Sequence, residues 1–420
     1  MRNSKKLLVS SLVCLALALT GCSAGNSEAP DPGASDEPIR IGTIFPLSGP
    51  NAQGGQRNMD GIQAAVDQVN ESGGVNGRQV VVISTDAPDP AAAVANANRL
   101  ITQDNVDVIL GSLSSDLALA IAPVAERNDT IFWELQAVTN SLTESGFKYV
   151  FRTVAPASGL GKAAADYALD QVAAKLGKSK DELRIAVMNV DGAYGQDTTK
   201  GVLETLKKSG VTPVDVSTYD AKIKDLTPVI LKQKDAKADV VISTSYGPDT
   251  ILYMKQAGQL DFVPAAYIGT GAGQTTAAFK EGVGDASEGI LSAASPGEGI
   301  DPSLLNEIGA KNLETYHSIL KKNNTEPSQG TILAYIGTLN LLVDVLPNAK
   351  SMSAADVREA ALSVDIPAGT SINGWGLKFS EEGQNELATV IVVQWQGDKM
   401  VTVFPDDLVT GSLVDTKPRW

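Results

Sequence analysis

Histidine occurs once in the 420-residue chain, at His317, cysteine twice, at Cys14 and Cys22, and aromatic residues make up only 5%. A lone histidine in the helical pattern "NLETYHSIL" leaves general acid–base chemistry without its commonest participant. No G-x-S-x-G elbow presents a serine nucleophile, and "GTGAG" (269–273) lacks the third glycine of a dinucleotide loop, so it reads as a loop at a strand end. Both cysteines precede residue 23, which leaves the rest of the chain without a disulfide or a cysteine metal site. Beyond the first apolar run no second stretch near 20 residues is expected to span a bilayer. These deficits point away from enzymes, and they suggest neither a metal nor a cofactor.

What is present begins with "MRNSKKLLVSSLVCLALALTGC", in which Arg2, Lys5 and Lys6 precede an apolar run from Leu7 to Leu19. The run is short for a membrane span, and its basic flank and small-residue end read as a signal peptide over 1–21. The end "LTGC" resembles a lipobox, which makes Cys22 the expected lipid carrier; a plain secretory signal with an incidental cysteine is the alternative. The following "SAGNSEAPDPGASDEP" is too poor in large apolar residues to bury a core, and 22–38 is expected to be a flexible tether. Without the three signal-peptide bases the chain holds 31 basic and 49 acidic residues, a net charge of −18. Such a surface repels phosphates, so no nucleic acid partner is expected.

From Ile39 onward β-branched runs alternate with helical patterns, the signature of βαβ units around parallel sheets. "IRIGTIFPL" leads to a helix with Met59, Ile62, Val66 and Val69 on one face, and Asp89-Pro90 reads as the cap and first turn of the next helix. A second series starts near Ala157, a helical block follows from about Pro302 to Val364, and the chain closes on strand patterns. Two α/β series with a late return predict two lobes, a chain that crosses more than once, and a binding cleft between them.

"GSLSSDLALA" (111–120) ends a strand and opens a helix, where free N–H groups and the positive end of the dipole suit a carboxylate or another acceptor. Ser114 or Ser115 could equally be a simple cap. Asp116, in the first turn, would repel an anion and attract an ammonium or amide if it faced the cleft. Glu134, at the end of "TIFWEL", is either a pocket group for a cationic or amide donor or a solvated loop residue. Tyr194 and Tyr246 fall where second-series strands end, and aromatic rings there can cover a ligand or simply pack.

Several stretches, in this order and spacing, carry a resemblance: "IGTIFPLSGPNAQGG", "GIQAAVDQVNESGGVNGRQV", "DPAAAVANANRLI", "VILGSLSSD", "AVTNSLT", "YVFRT", "DGAYGQD" and "GLKFSEEGQ". Together they resemble the branched-chain amino acid (Leu/Ile/Val) binding family, substrate-binding proteins of ABC importers, from about Ile39 to Trp395. The resemblance implies an α/β fold of two Rossmann-like lobes with parallel central sheets, 39–152 with 292–387 and 153–291 with 388–420. Three crossings are implied near Arg152-Thr153, Leu291-Ser292 and Glu386-Ala388. It implies that Ser115, Thr139 and the backbone near Ala137 hold a ligand carboxylate while Tyr246 closes over it. Two positions depart from the family: Gly271 stands where an acid pairs with the ligand's ammonium, and Gly54 replaces a tyrosine. Glu134 or Asp116 would have to replace the lost counter-ion, or the ligand is not an ordinary α-amino acid. The implied partners are a small ligand, a membrane permease and a lipid on Cys22, with the protein a monomer on the outer face of the membrane. A ligand-sensing receptor protein of the same fold and an extracytoplasmic hydrolase are the competing readings.

Overall fold

The computed structural model describes residues 37–271, 273–297 and 301–420, so the signal segment, Cys22 and most of the tether lie outside the described residues. In the first series, strands β1 (Ile39–Phe45), β2 (Val80–Asp86), β3 (Val108–Gly111), β4 (Ile131–Glu134) and β5 (Val150–Arg152) alternate with helices α1 (Ala52–Glu71), α2 (Pro90–Thr102), α3 (Ser115–Arg127) and α4 (Ser141–Glu144). They form a wholly parallel sheet in the order β2-β1-β3-β4-β5. "VILG" and "IFWE" are buried at every residue because helices cover both faces. The Asp89 carboxylate accepts the Ala92 N–H at 2.8 Å, the cap expected of it.

The second series holds helices α5 (Ala157–Tyr167), α6 (Ala173–Leu176), α7 (Ala193–Lys208), α8 (Thr227–Asp235), α9 (Gly247–Gln259) and α10 (Ala277–Val283). Its strands are β6 (Ile185–Val190), β7 (Asp215–Tyr219), β8 (Val240–Thr244), β9 (Ala266–Gly269) and β10 (Leu291–Ala294). Helices α11 (Glu307–Lys322), α12 (Gln329–Leu339) and α13 (Ala354–Ser363) then return to the first lobe. The short strands β11 (Asp365–Ile366) and β12 (Leu377–Lys378) pair with each other, and β13 (Ile391–Gln396) and β14 (Lys399–Phe404) close the second sheet. That sheet has the order β14-β13-β10-β9-β8-β6-β7. Its last two strands are antiparallel, because the third crossing delivers the chain to the carboxyl end of β10, where Ile391 pairs with Ala294 and β13 can only run back.

Two expectations are corrected. The second crossing does not lie at Leu291-Ser292: β10 continues through Ala294 in the second sheet, held there by both β9 and β13, and the chain leaves only afterwards. An apolar stretch of membrane-spanning length also exists, Gln329–Asn348, consisting of α12 and its continuation. It is mostly buried against α1 and the first sheet, which is why its apolar residues are not confined to one face.

Topology now fixes where a site can form. In the first sheet β1 is flanked by β2 and β3, and in the second β6 is flanked by β7 and β8, so each order reverses at one strand. Ligands of open α/β sheets bind outside the carboxyl ends at such switch points. The loops found there carry Ser112–Ser115 in the first lobe, and Tyr194 and Tyr246 in the second.

Candidate ligand-binding cleft

On the first lobe, the chain leaves β3 at Gly111 and enters α3 at Ser115. Ser114 takes the extended cap conformation but makes no side-chain capping bond, so it does not cover the first-turn N–H groups of α3. Ser115 is 2% exposed and its Oγ accepts the Thr139 N–H at 3.2 Å, which leaves the hydroxyl proton of Ser115 to donate. Ala137 and Thr139 are buried beside it. The structure therefore brings Ser115, Ala137 and Thr139 together, on loops from two adjacent strands.

Glu134 has a different position from the one expected of a ligand group. It is completely buried, and its two oxygens accept three backbone N–H groups: Ser112 at 2.6 Å, Gln136 at 2.8 Å and Ala137 at 2.6 Å. The carboxyl thus ties the β3 loop to the β4 loop and supports the grip from beneath. Behind it, buried Arg152 donates to the Val138 carbonyl at 2.8 Å, to the Thr139 carbonyl, to Thr143 Oγ1 at 3.1 Å and to Gln384 Oε1 at 2.6 Å. Burial pulls the Arg152 guanidinium down to about 10, opposed by the charges of Glu134, Glu144 and Asp197.

Burial pushes the Glu134 carboxyl up from 4.5 to about 7, although its three N–H donors act the other way. The folded protein then retains a proton that the unfolded chain releases near 4.5. This contribution to stability is complete below about pH 4.5 and is lost as pH rises to about 7, amounting to about 3 kcal/mol at most. Asp249, raised to about 6 by burial, acts in the same direction. Urea midpoints should therefore fall between pH 5 and pH 8, and fall less in Glu134→Gln. Identical pH profiles for the two proteins would contradict this.

On the second lobe, Tyr194 lies in the first turn of α7 and its hydroxyl donates to the Thr270 carbonyl at 2.5 Å. Its ring lies 5.4 Å from that of Tyr246, which stands at the N-cap of α9 and is partly buried. Asp116, exposed on α3, points toward the second lobe: its Oδ1 accepts the Ala193 N–H of α7 at 3.4 Å. The neighbouring Gly192 has φ +121°, and a Cβ there would sit 3.2 Å from Asp116 Oδ2, so both conformation and space favour glycine. A second carboxylate crosses in the opposite direction. Asp197, one turn beyond Tyr194 on α7, accepts the Thr139 hydroxyl and, at 2.8 Å, the Asn140 N–H.

A family model described as "Periplasmic binding protein" matches residues 38–399. The chain belongs to the periplasmic binding protein family. One relative, the Leu/Ile/Val-binding protein homolog 7 of Brucella abortus (strain 2308), is 33% identical over 394 residues, which is 93% of this chain and 96% of the relative. Among solved structures, the LivJ substrate-binding protein of Streptococcus pneumoniae in complex with isoleucine superposes with a TM-score of 0.72 at 22% identity, covering 88% of this chain and all of the other. A solute-binding protein of R. palustris in complex with 4-hydroxybenzoate gives 0.72 at 21% identity, covering 90% of this chain and 98% of the other. As a member of the periplasmic binding protein family, the chain is a type I α/β binding protein and not an enzyme.

Gly54 and Gly271, expected from the resemblance to depart from the family, have defined neighbours. A Cβ on Gly54 would lie 2.9 Å from Leu113 Cδ2, so a side chain of the 112–115 loop already fills that space. Gly271, at φ +105°, donates its N–H to Ser292 Oγ at 3.1 Å, and a Cβ there would lie 3.6 Å from the Tyr194 hydroxyl. Asp197 and the polar pair Asn58–Gln136, bonded at 2.6 Å, escaped sequence reasoning. Asp197 had one signal, its position three residues after Tyr194, which puts both on one face of a helix.

Proposed function

We propose that the protein is the extracytoplasmic solute-binding component of an ABC importer. Lipid on Cys22 anchors it to the cell membrane, and as a monomer it captures a small amino acid, amide or related carboxylate and delivers it to the permease. The observation that carries this reading is that the loops at the two switch points meet: Asp116, beside Ser115, reaches Ala193, beside Tyr194, whose ring lies near that of Tyr246, and Asp197 holds Thr139. Ser115 and the start of α3 receive the ligand's carboxylate or carbonyl, Ala137 and Thr139 flank it, and the two tyrosines cover it. Closure follows because only a ligand touching both lobes favours the closed form. The relatives' ligands, branched-chain amino acids and an aromatic carboxylate, support an acceptor end of this kind.

Tyr246→Ala removes the ring beside Tyr194 and part of the packing on the second-lobe core. Binding should weaken by ~2 kcal/mol, about thirtyfold, with the protein still folding cooperatively at a somewhat lower denaturation midpoint. Calorimetry with L-isoleucine, L-leucine and 4-hydroxybenzoate as probes measures it, and an unchanged dissociation constant would remove Tyr246 from the site.

A further inference from the structure

We propose that Asp197 is a specificity-determining positioning residue, which fixes the Thr139 hydroxyl as an acceptor toward the ligand whenever the lobes close. The inference rests on the binding role proposed above and concerns the chemistry of that same cleft. A threonine hydroxyl has one proton and two lone pairs, and a carboxylate only accepts. Thr139 therefore gives its proton to Asp197, and the Asn140 N–H, 2.8 Å from the same oxygen, marks that oxygen as an acceptor. What Thr139 has left for a ligand is a lone pair.

Ser115 is arranged in the opposite sense. Its Oγ already accepts the Thr139 N–H, and its proton remains to be donated. Two neighbouring hydroxyls thus acquire opposite polarity, one offering a proton and the other a lone pair. A matching ligand carries a carboxylate or carbonyl oxygen next to an N–H or O–H donor, as α-amino acids, α-hydroxy acids and amides do. Because Asp197 belongs to α7 of the second lobe and Thr139 to the first, this polarity exists only in the closed form. In the open form the Thr139 hydroxyl turns freely and the preference disappears. Closure and selection of a donor-bearing ligand are one event.

The test uses the full chain and three probes of one carbon skeleton: L-leucine, L-2-hydroxy-4-methylpentanoate and 4-methylpentanoate, the last without a donor. By calorimetry the wild type should prefer the first two over the third by about 100-fold or more, since a buried acceptor left unpaired is costly. D197A should reduce that ratio at least about tenfold, and D197N, which keeps an acceptor oxygen, should largely restore it. A variant that weakens all three probes equally would show Asp197 to be a mere tie between lobes and overturn the proposal. Hydrogen exchange of the protein saturated with a bound probe, and so held closed, reads the contact itself: D197A should lower protection of the Asn140 amide about tenfold or more while the Ser112 amide keeps its own. Unchanged Asn140 protection would overturn the proposal whatever the ligand. If no probe binds the wild type, the binding role itself is wrong and the proposal falls with it, whereas probes that bind without the predicted D197A effect overturn the proposal alone.

Discussion

Glu134→Ala should lower the unfolding free energy by about 3–5 kcal/mol and abolish ligand binding at neutral pH. Three N–H groups, those of Ser112, Gln136 and Ala137, end on this one carboxyl, and alanine would leave them buried with nothing to receive them. The same change removes the nearby negative charge that supports the Arg152 guanidinium. Loss of the tie frees the 112–115 loop from the 136–139 loop, so the spacing of Ser115 and Thr139 is no longer set. Glu134→Gln is the finer probe. Its oxygen can serve one arm, but its amide group then turns a donor toward another donor, and about half the loss should remain. Urea denaturation measures both variants; a Glu134→Ala loss below ~1 kcal/mol would mean that the carboxyl does not hold the loops.

Arg152→Ala should cost a similar amount, about 3–5 kcal/mol, for the complementary reason. Where Glu134 collects N–H groups, Arg152 supplies donors to the carbonyls of Val138 and Thr139, and on its other edge it reaches Gln384. Gln384 in turn donates to the Val154 carbonyl at 3.0 Å, and Asn385 to the Thr153 carbonyl at 3.1 Å, so the first and third crossings are fastened together here. Lysine would carry the charge but not the planar fork, and Arg152→Lys should recover only a minor part of the loss. The two alanine variants share one charge environment, so their combination should destabilise by less than the sum of the single losses. Full additivity in a double-mutant cycle would show that the two residues act separately.

Much of this architecture was legible in the residues because it depends on periodicity. Strand-length apolar runs, an Asp-Pro helix start and strand-to-helix transitions at Ser115, Tyr194 and Tyr246 reveal themselves one segment at a time. The resemblance then supplied the spatial pairing of segments far apart in sequence. Glu134 was ambiguous for a physical reason: a carboxyl at a strand end meets a ligand in one rotamer and the N–H groups of its own turn in another, and sequence does not choose between rotamers. The second crossing was misplaced although Pro296-Gly297, directly after "LSAAS", marks where the strand must end. The Gln329–Asn348 stretch escaped because Thr331, Gly337, Thr338 and Asn340 interrupt the apolar run, while in the fold they are buried. Asp197 was missed because its partner is a hydroxyl on the other lobe, 58 residues away.

The central claim is that one cleft, gripped at Ser115 and covered by Tyr246, binds a small solute. It is tested most directly by thermal denaturation of the wild type and the Ser115→Ala/Tyr246→Ala double variant against one panel of amino acids, amides and small carboxylates. A true ligand at about 100 times its dissociation constant adds roughly 2.7 kcal/mol, so the wild type should melt measurably higher with at least one class of compound, and the double variant, which melts lower alone because the Thr139 N–H loses its acceptor, should show no such shift. A shift that survives intact in the double variant would place the ligand elsewhere and contradict the account.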